Sequence, residues 1–188
     1  MHDPVDLFSR ATDEFDRRVA SVTEDQWHLR TPCEDWDVRA LVQHVVYEAV
    51  WTPPLLEGAT VEEVGDRFEG DLLGPDPSGA WVTARAAAVG AAARPGAMVD
   101  TVHLSYADVA GAEYLLQLTT DMAVHAWDLA RGIGADEGLD ADIVRACLEQ
   151  VERDEEAIRS SGLFGRKVEV PADASAQTRL LAILGRAG

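Results

Sequence analysis

The segment LTTDMAVHAWDLARG, Leu118 to Gly132, carries Asp121 and His125 four residues apart in a run otherwise suited to a buried helix. On a helix this spacing stacks the carboxylate and the imidazole on one face, one turn apart, so that both can approach a common point. Asp128 lies seven residues beyond Asp121, close to the same face. It can accept the imidazole's second proton or pair with Arg131. A second segment, VRALVQHVVYEAVW, places His44 with Glu48 one turn later, at the edge of a stripe made by Leu41, Val42, Val45, Ala49 and Val50. Two imidazoles and one carboxylate from two helices leave coordination positions open to water or a ligand, the composition of a working metal site and not of a closed structural one. Zinc suits that donor set, and nickel, iron and manganese are compatible with it.

Three readings of Asp121 and His125 stand side by side: metal ligands, a hydrogen-bonded histidine–carboxylate pair, or an exposed helical pair contributing only about 0.2 to 0.5 kcal/mol. Leu115, Leu116, Leu118, Met122, Ala123, Val124, Ala126 and Leu129 leave little of this helix polar. An unpaired charge in that setting would cost several kcal/mol, so a positive partner is expected. His2, His28 and His103 lack a comparable partner pattern and read as loop or surface residues, with His28 a pocket candidate because Trp27 adjoins it. Cys33, in TPCEDW, reads as a packed thiol or as a thiolate near a helix start. There is no glycine-rich phosphate loop, no nucleophile elbow and no HExxH, and the acidic run VERDEEA reads as a solvated helix face.

The elements that must hold these groups are mostly helices. DPVDLFSRATDEFDRRVASV sets Val5, Phe8, Phe15, Val19 and Val22 on one side after a capping Asp3 and a Pro4. TEDQWHLRTPCEDW breaks the period, with Trp27 and Trp36 available to anchor a loop. The helix carrying His44 is expected to start near Asp37 and to stop at Pro53 and Pro54, which cannot donate the next backbone hydrogen bonds. Residues 56 to 79 read as a loop with one short helical turn, and AWVTARAAAVGAAA as a third long helix. AMVDTVHLSY suggests a short extended segment. The helix carrying His125 is expected to be capped by Ser105 or Asp108, to end at Gly132 or Gly134, and to run roughly 25 residues, close to 40 Å. A fifth helix, LDADIVRACLEQVERDEEAIRS, is followed by a turn, a strand-like KVEV and a last helix from Ala174 or Ser175. The expected architecture is all-α: one domain over residues 1–188, a helical bundle with short β-like decorations.

At 188 residues the chain can bury a core without metal or disulfide staples. Sixteen Lys and Arg against thirty-four Asp and Glu give a formal charge of -18, which repels nucleic acid and anionic lipid and leaves a small molecule as the expected partner. The same charge also serves solubility. Two cysteines without close spacing, no basic leader and no apolar span suit a cytoplasmic protein, as a monomer or homodimer.

TPCEDWDVRALVQHVV, TTDMAVHAWDLARGIG and the terminal FGRKVEVPADASAQTRLLAILGR together resemble the actinobacterial branch of the DinB-like superfamily, related to the metal-binding domain of mycothiol-dependent maleylpyruvate isomerase. The likeness runs over nearly the whole chain in order. It implies a four-helix bundle and a divalent metal held by two histidines and a carboxylate. The matching positions here are His44, Asp121 and His125. The isomerase relatives usually present glutamate where this chain has Asp121, one methylene shorter. The chain also ends soon after LLAILGR, without room for the isomerase's second domain, so maleylpyruvate isomerisation itself is not the expected reaction.

The resemblance implies a metal-dependent enzyme in which mycothiol or a similar thiol is held against an electrophilic small molecule for transfer or isomerisation. Cys33, His28 and Trp51 are its expected pocket neighbours. A metal-dependent hydrolase, with Glu48 as base or as a hydrogen-bond acceptor behind the ligands, is the alternative enzyme. A non-catalytic metal- or small-molecule-binding bundle is the alternative without turnover.

Overall fold

Asp3 opens the first helix, α1 (Pro4–Val19): its side chain accepts from the Val5 amide at 2.9 Å, and Pro4 begins the helix at little cost because a first-turn amide has no helical acceptor. The face that turns inward carries Leu7, Phe8, Ala11, Phe15 and Val19. The computed structural model describes residues 3–162 and 165–187. His2 and the Leu163–Phe164 pair of the expected turn lie outside the described residues.

After a single 3-10 turn, Glu24–Gln26, Asp37 caps α2 (Val38–Leu56) through the Ala40 amide at 2.8 Å. Pro53 and Pro54 lie inside α2 and do not end it. A proline lacks a donor, yet its carbonyl still accepts: Glu57 N donates to Pro53 O at 3.0 Å and Ala59 N to Pro54 O at 2.9 Å, so the last turn closes over them. The expected short turn is α3 (Val61–Val64), closed by a reciprocal Thr60–Glu63 capping box. Next comes α4 (Pro77–Ala92), started by Asp76. Trp81 of α4 meets Phe15 edge-on at 4.9 Å and donates its Nε1–H to Asp16 at 2.9 Å, joining α4 to α1.

The extended segment forms a small antiparallel hairpin, β1 (Thr101–His103) with β2 (Asp108–Ala110), in the register Thr101 to Ala110. Asp108 is therefore a strand residue, and α5 (Gly111–Ile133) begins without a side-chain cap, contrary to the expectation of Ser105 or Asp108. Backbone carbonyls take that role: Gly111 N donates to Asp100 O and Ala112 N to Met98 O, each at 3.0 Å. Only glycine allows it, since a Cβ at residue 111 would stand 1.8 Å from Ala97 O. The helix ends at Gly134, in the left-handed conformation at φ 73°.

In the unit spanning Met1–Glu137, α1 packs on α5, α2 packs on α4, and α2 with α5 and α1 with α4 close the bundle. Leu41, Val45, Leu115, Leu129 and Trp127 are among its buried side chains, each contributing about 1.5 to 3 kcal/mol by leaving water. In the unit spanning Gly138–Gly188, α6 (Ala141–Arg153) packs on α8 (Ala176–Ile183), with α7 (Glu155–Ser161) between them in sequence. The expected fifth helix is thus broken at Asp154. KVEV is not a strand; Val168 N donates to Ala182 O at 2.9 Å, one bond with no ladder to extend it. No described helix is long and apolar enough to cross a membrane.

Candidate metal centre

The facing stripes of α2 and α5 bring His44 and His125 together around Asp121. His44 Nε2 lies 3.3 Å from Asp121 Oδ2, and His125 Nε2 lies 3.4 Å from Asp121 Oδ1. The two rings meet edge to face, 4.9 Å apart. Ligand atoms around a tetrahedral ion with bonds near 2.05 Å are themselves about 3.3 Å apart, so the donor types and spacing fit a divalent metal. Nitrogen and oxygen donors favour a borderline ion such as zinc over calcium or magnesium.

Burial would raise the carboxyl of Asp121, but His125 and then His44 beside it outweigh that and hold it well below the usual carboxylate range. Burial likewise works against a charged His125, and Asp121, Asp128 and Cys33 reverse the sign, lifting it well above an ordinary imidazole. A partly buried anion of this kind is stabilised by a positive partner, which an imidazolium or a metal cation supplies.

Asp128 is fully buried and accepts from His125 Nδ1 at 3.1 Å, which leaves Nε2 directed at Asp121. Arg131, its other candidate partner, pairs with Glu137 at 3.0 Å and lies 4.7 Å over the Trp127 ring. Cys33 joins the same group: its thiol donates to Asp128 Oδ2 at 3.1 Å and sits 3.9 Å from His125 Nδ1. Glu48, one turn beyond His44, is half-buried. Its burial, reinforced by the charge of Asp121 and opposed by His44 and His125, pushes the carboxyl up to about 7.

The ring and charge contacts of the other two expected neighbours are with other residues. Trp51 packs on Tyr47 and Phe68, at 5.7 and 6.2 Å between ring centres. The His28 side chain is 81% exposed and faces Asp37 at 3.5 Å. In its place Trp36 covers the site, 4.7 Å from the His44 ring and 5.6 Å from the His125 ring. Trp36 was legible as a loop anchor from its break in helical period, but nothing in its spacing pointed to the histidines. The loop is held by Thr31, whose hydroxyl donates to Trp36 O at 2.8 Å, and it rests on Gly132, where a Cβ would come within 3.2 Å of Arg30 O.

The model of the mycothiol maleylpyruvate isomerase N-terminal domain family matches residues 8–130, a span that includes all three candidate ligands. Two uncharacterized proteins of Mycobacterium tuberculosis, MT0763 of strain CDC 1551 / Oshkosh and Rv0738 of strain ATCC 25618 / H37Rv, are each 33% identical over 145 residues, 75% of this chain and 73% of theirs. The crystal structure of the mycothiol-dependent maleylpyruvate isomerase is similar with a TM-score of 0.64 at 20% identity, over 79% of this chain and 68% of that one. A histidine-to-alanine mutant of the same enzyme gives 0.62 at 16% identity over the same shares. At these identities the likeness is one of fold.

Proposed function

We propose that this chain, which belongs to the mycothiol maleylpyruvate isomerase N-terminal domain family, holds one divalent metal, zinc in the first instance, on His44, Asp121 and His125. It would use that metal to act on a small molecule through a low-molecular-weight thiol such as mycothiol. The convergence of two imidazole nitrogens on one carboxylate, at 3.3 and 3.4 Å, carries this reading. His44 and Asp121 keep about a quarter of their side-chain surface exposed, which suits a site that a ligand must reach.

A bound divalent metal supplies Lewis acidity that keeps a small thiol ionised near neutral pH. The chain's own residues do the rest. Asp128 fixes His125 in the tautomer that presents Nε2. Trp36 shields both histidines from water on one side. Glu48, whose burial pushes its carboxyl up to about 7, would take the proton the thiol loses on binding and return it to the adduct formed with the electrophile. The same carboxyl favours a second reading, hydrolysis with Glu48 as the base that takes a proton from water.

The test is a panel of electrophilic small molecules offered to the metal-loaded protein with and without thiol. Turnover that needs both metal and thiol supports thiol transfer or isomerisation. Turnover without thiol selects the hydrolase, and tight metal retention without turnover on either arm selects a binding bundle.

A further inference from the structure

We infer that Cys33 is a positioning residue for the metal centre: its thiol, acting through Asp128, fixes the orientation and proton position of His125. The inference rests on the metal reading above only for its consequence, because the side-chain chain itself is present in the metal-free protein. Cys33 Sγ donates to Asp128 Oδ2 at 3.1 Å, and the same oxygen accepts from His125 Nδ1 at 3.1 Å. Asp128 has no exposed surface, so its carboxylate depends on protein donors, and a donor lost from a buried carboxylate is not replaced by water.

The backbone around Cys33 is arranged to present the thiol. Its amide donates to Thr31 Oγ1 at 3.2 Å, and its carbonyl accepts from Trp36 N at 2.9 Å. Gly132 of α5 lets Arg30 and Thr31 approach closely enough for that turn to reach Asp128, five residues before the end of α5. The turn therefore delivers two things to one imidazole: the Trp36 ring beside it, tilted at 5.6 Å, and a thiol behind its carboxylate partner. A thiol is a weak donor, so the effect is graded and not all-or-none.

The Cys33, His125 and Asp128 ligand atoms also lie close enough together to bind an ion themselves, which gives the rival role for Cys33, a direct sulfur ligand. The experiment separates the two. In metal-free protein, solvent exchange of the His125 Nδ1 proton is followed by nuclear magnetic resonance in the wild type, Cys33→Ser, Cys33→Ala and Cys33→Val. The wild type and Cys33→Ser should show a slowly exchanging proton, and the two variants without a donor should exchange at least about fivefold faster. Unchanged exchange in the alanine and valine variants, or a serine variant that behaves like them, would overturn the inference.

Cobalt titration of the same proteins reads the consequence. Cys33→Ala should bind one equivalent about tenfold more weakly, and Cys33→Ser within about threefold of the wild type. An intense sulfur-to-cobalt absorption in the wild type that the serine variant loses would make Cys33 a ligand and contradict its positioning role. A wild type that binds no cobalt would refute the metal reading alone, while the proton-exchange comparison would still decide the role of Cys33.

Discussion

His44 of α2 and Asp121 of α5 face each other across the bundle, the imidazole Nε2 3.3 Å from the carboxylate Oδ2. Asp121 also meets His125 one turn on, and His44 also meets the Trp36 ring. Leucine at either position would bury more apolar surface, so packing alone does not account for the pair, whose donor atoms suit a cation. Asp121→Asn removes the charge but keeps the shape, and should lower zinc affinity at least about a hundredfold. Asp121→Glu should retain binding, because the added methylene still offers an oxygen. A chelator-competition titration of both variants checks this.

The raised affinity of His125 for protons gives metal binding a definite sign with pH. An ion must displace the proton that Asp121 and Asp128 favour on that ring. Affinity should therefore rise with pH through and beyond the ordinary imidazole range, with about one proton released per ion. Calorimetric titration in buffers of different ionisation enthalpy counts the proton. Release of none would mean that His125 is not a ligand.

Glu48 governs a different window. The folded protein holds its proton up to about 7, whereas the unfolded chain releases it near 4.5. Its contribution to stability is therefore fully present below pH 4.5 and lost as pH rises toward 7. In chelator, the thermal midpoint should fall over that range in the wild type and stay flatter in Glu48→Gln. Raised His125 contributes its own loss at higher pH, above the ordinary imidazole range, so the wild type and Glu48→Gln should slope alike there. Parallel slopes between pH 4.5 and 7 would contradict the assignment to Glu48.

Much of this arrangement was legible in the sequence, because a four-residue spacing on a helix fixes a shared face whatever the tertiary fold. The spacing nominated His44, Asp121 and His125 but left metal ligands, a hydrogen-bonded pair and an exposed pair open, and the family resemblance favoured the first. Choosing between the two roles of Asp128 needed coordinates, which put its carboxylate on His125 Nδ1, while Arg131 reaches Glu137 and Trp127. Cys33 and Trp36 sit on a loop without periodicity, so their approach to the site depends on Gly132 and on the Thr31 turn, neither of which has a spacing rule. Pro53 and Pro54 misled for a related reason: the rule that proline ends a helix concerns its missing donor, and the carbonyls that complete α2 are on the other side of the same residues.

Trp36 offers an optical report of the same geometry. Its ring lies 4.7 Å from that of His44, so an ion arriving at the histidines should change its emission. Zinc titration should alter tryptophan fluorescence in the wild type, and the change should vanish in Trp36→Phe although four tryptophans remain. An unchanged response in that variant would place the ion elsewhere.

Gly111 tests the support of α5 and not its chemistry. Gly111→Ala would force a Cβ to within 1.8 Å of Ala97 O, a backbone atom that cannot rotate away. A cost of about 3 kcal/mol is expected, a fall of roughly 10 °C in the thermal midpoint. Gly134→Ala, strained only by its φ of 73° at an open position, should cost less, about 1 kcal/mol.

Elemental analysis of protein purified without added metal, on the wild type beside His44→Ala and His125→Ala, bears most directly on the centre. About one equivalent of a divalent transition metal is expected in the wild type, and less than about a tenth of that in each variant. The same metal content in all three proteins would contradict the site.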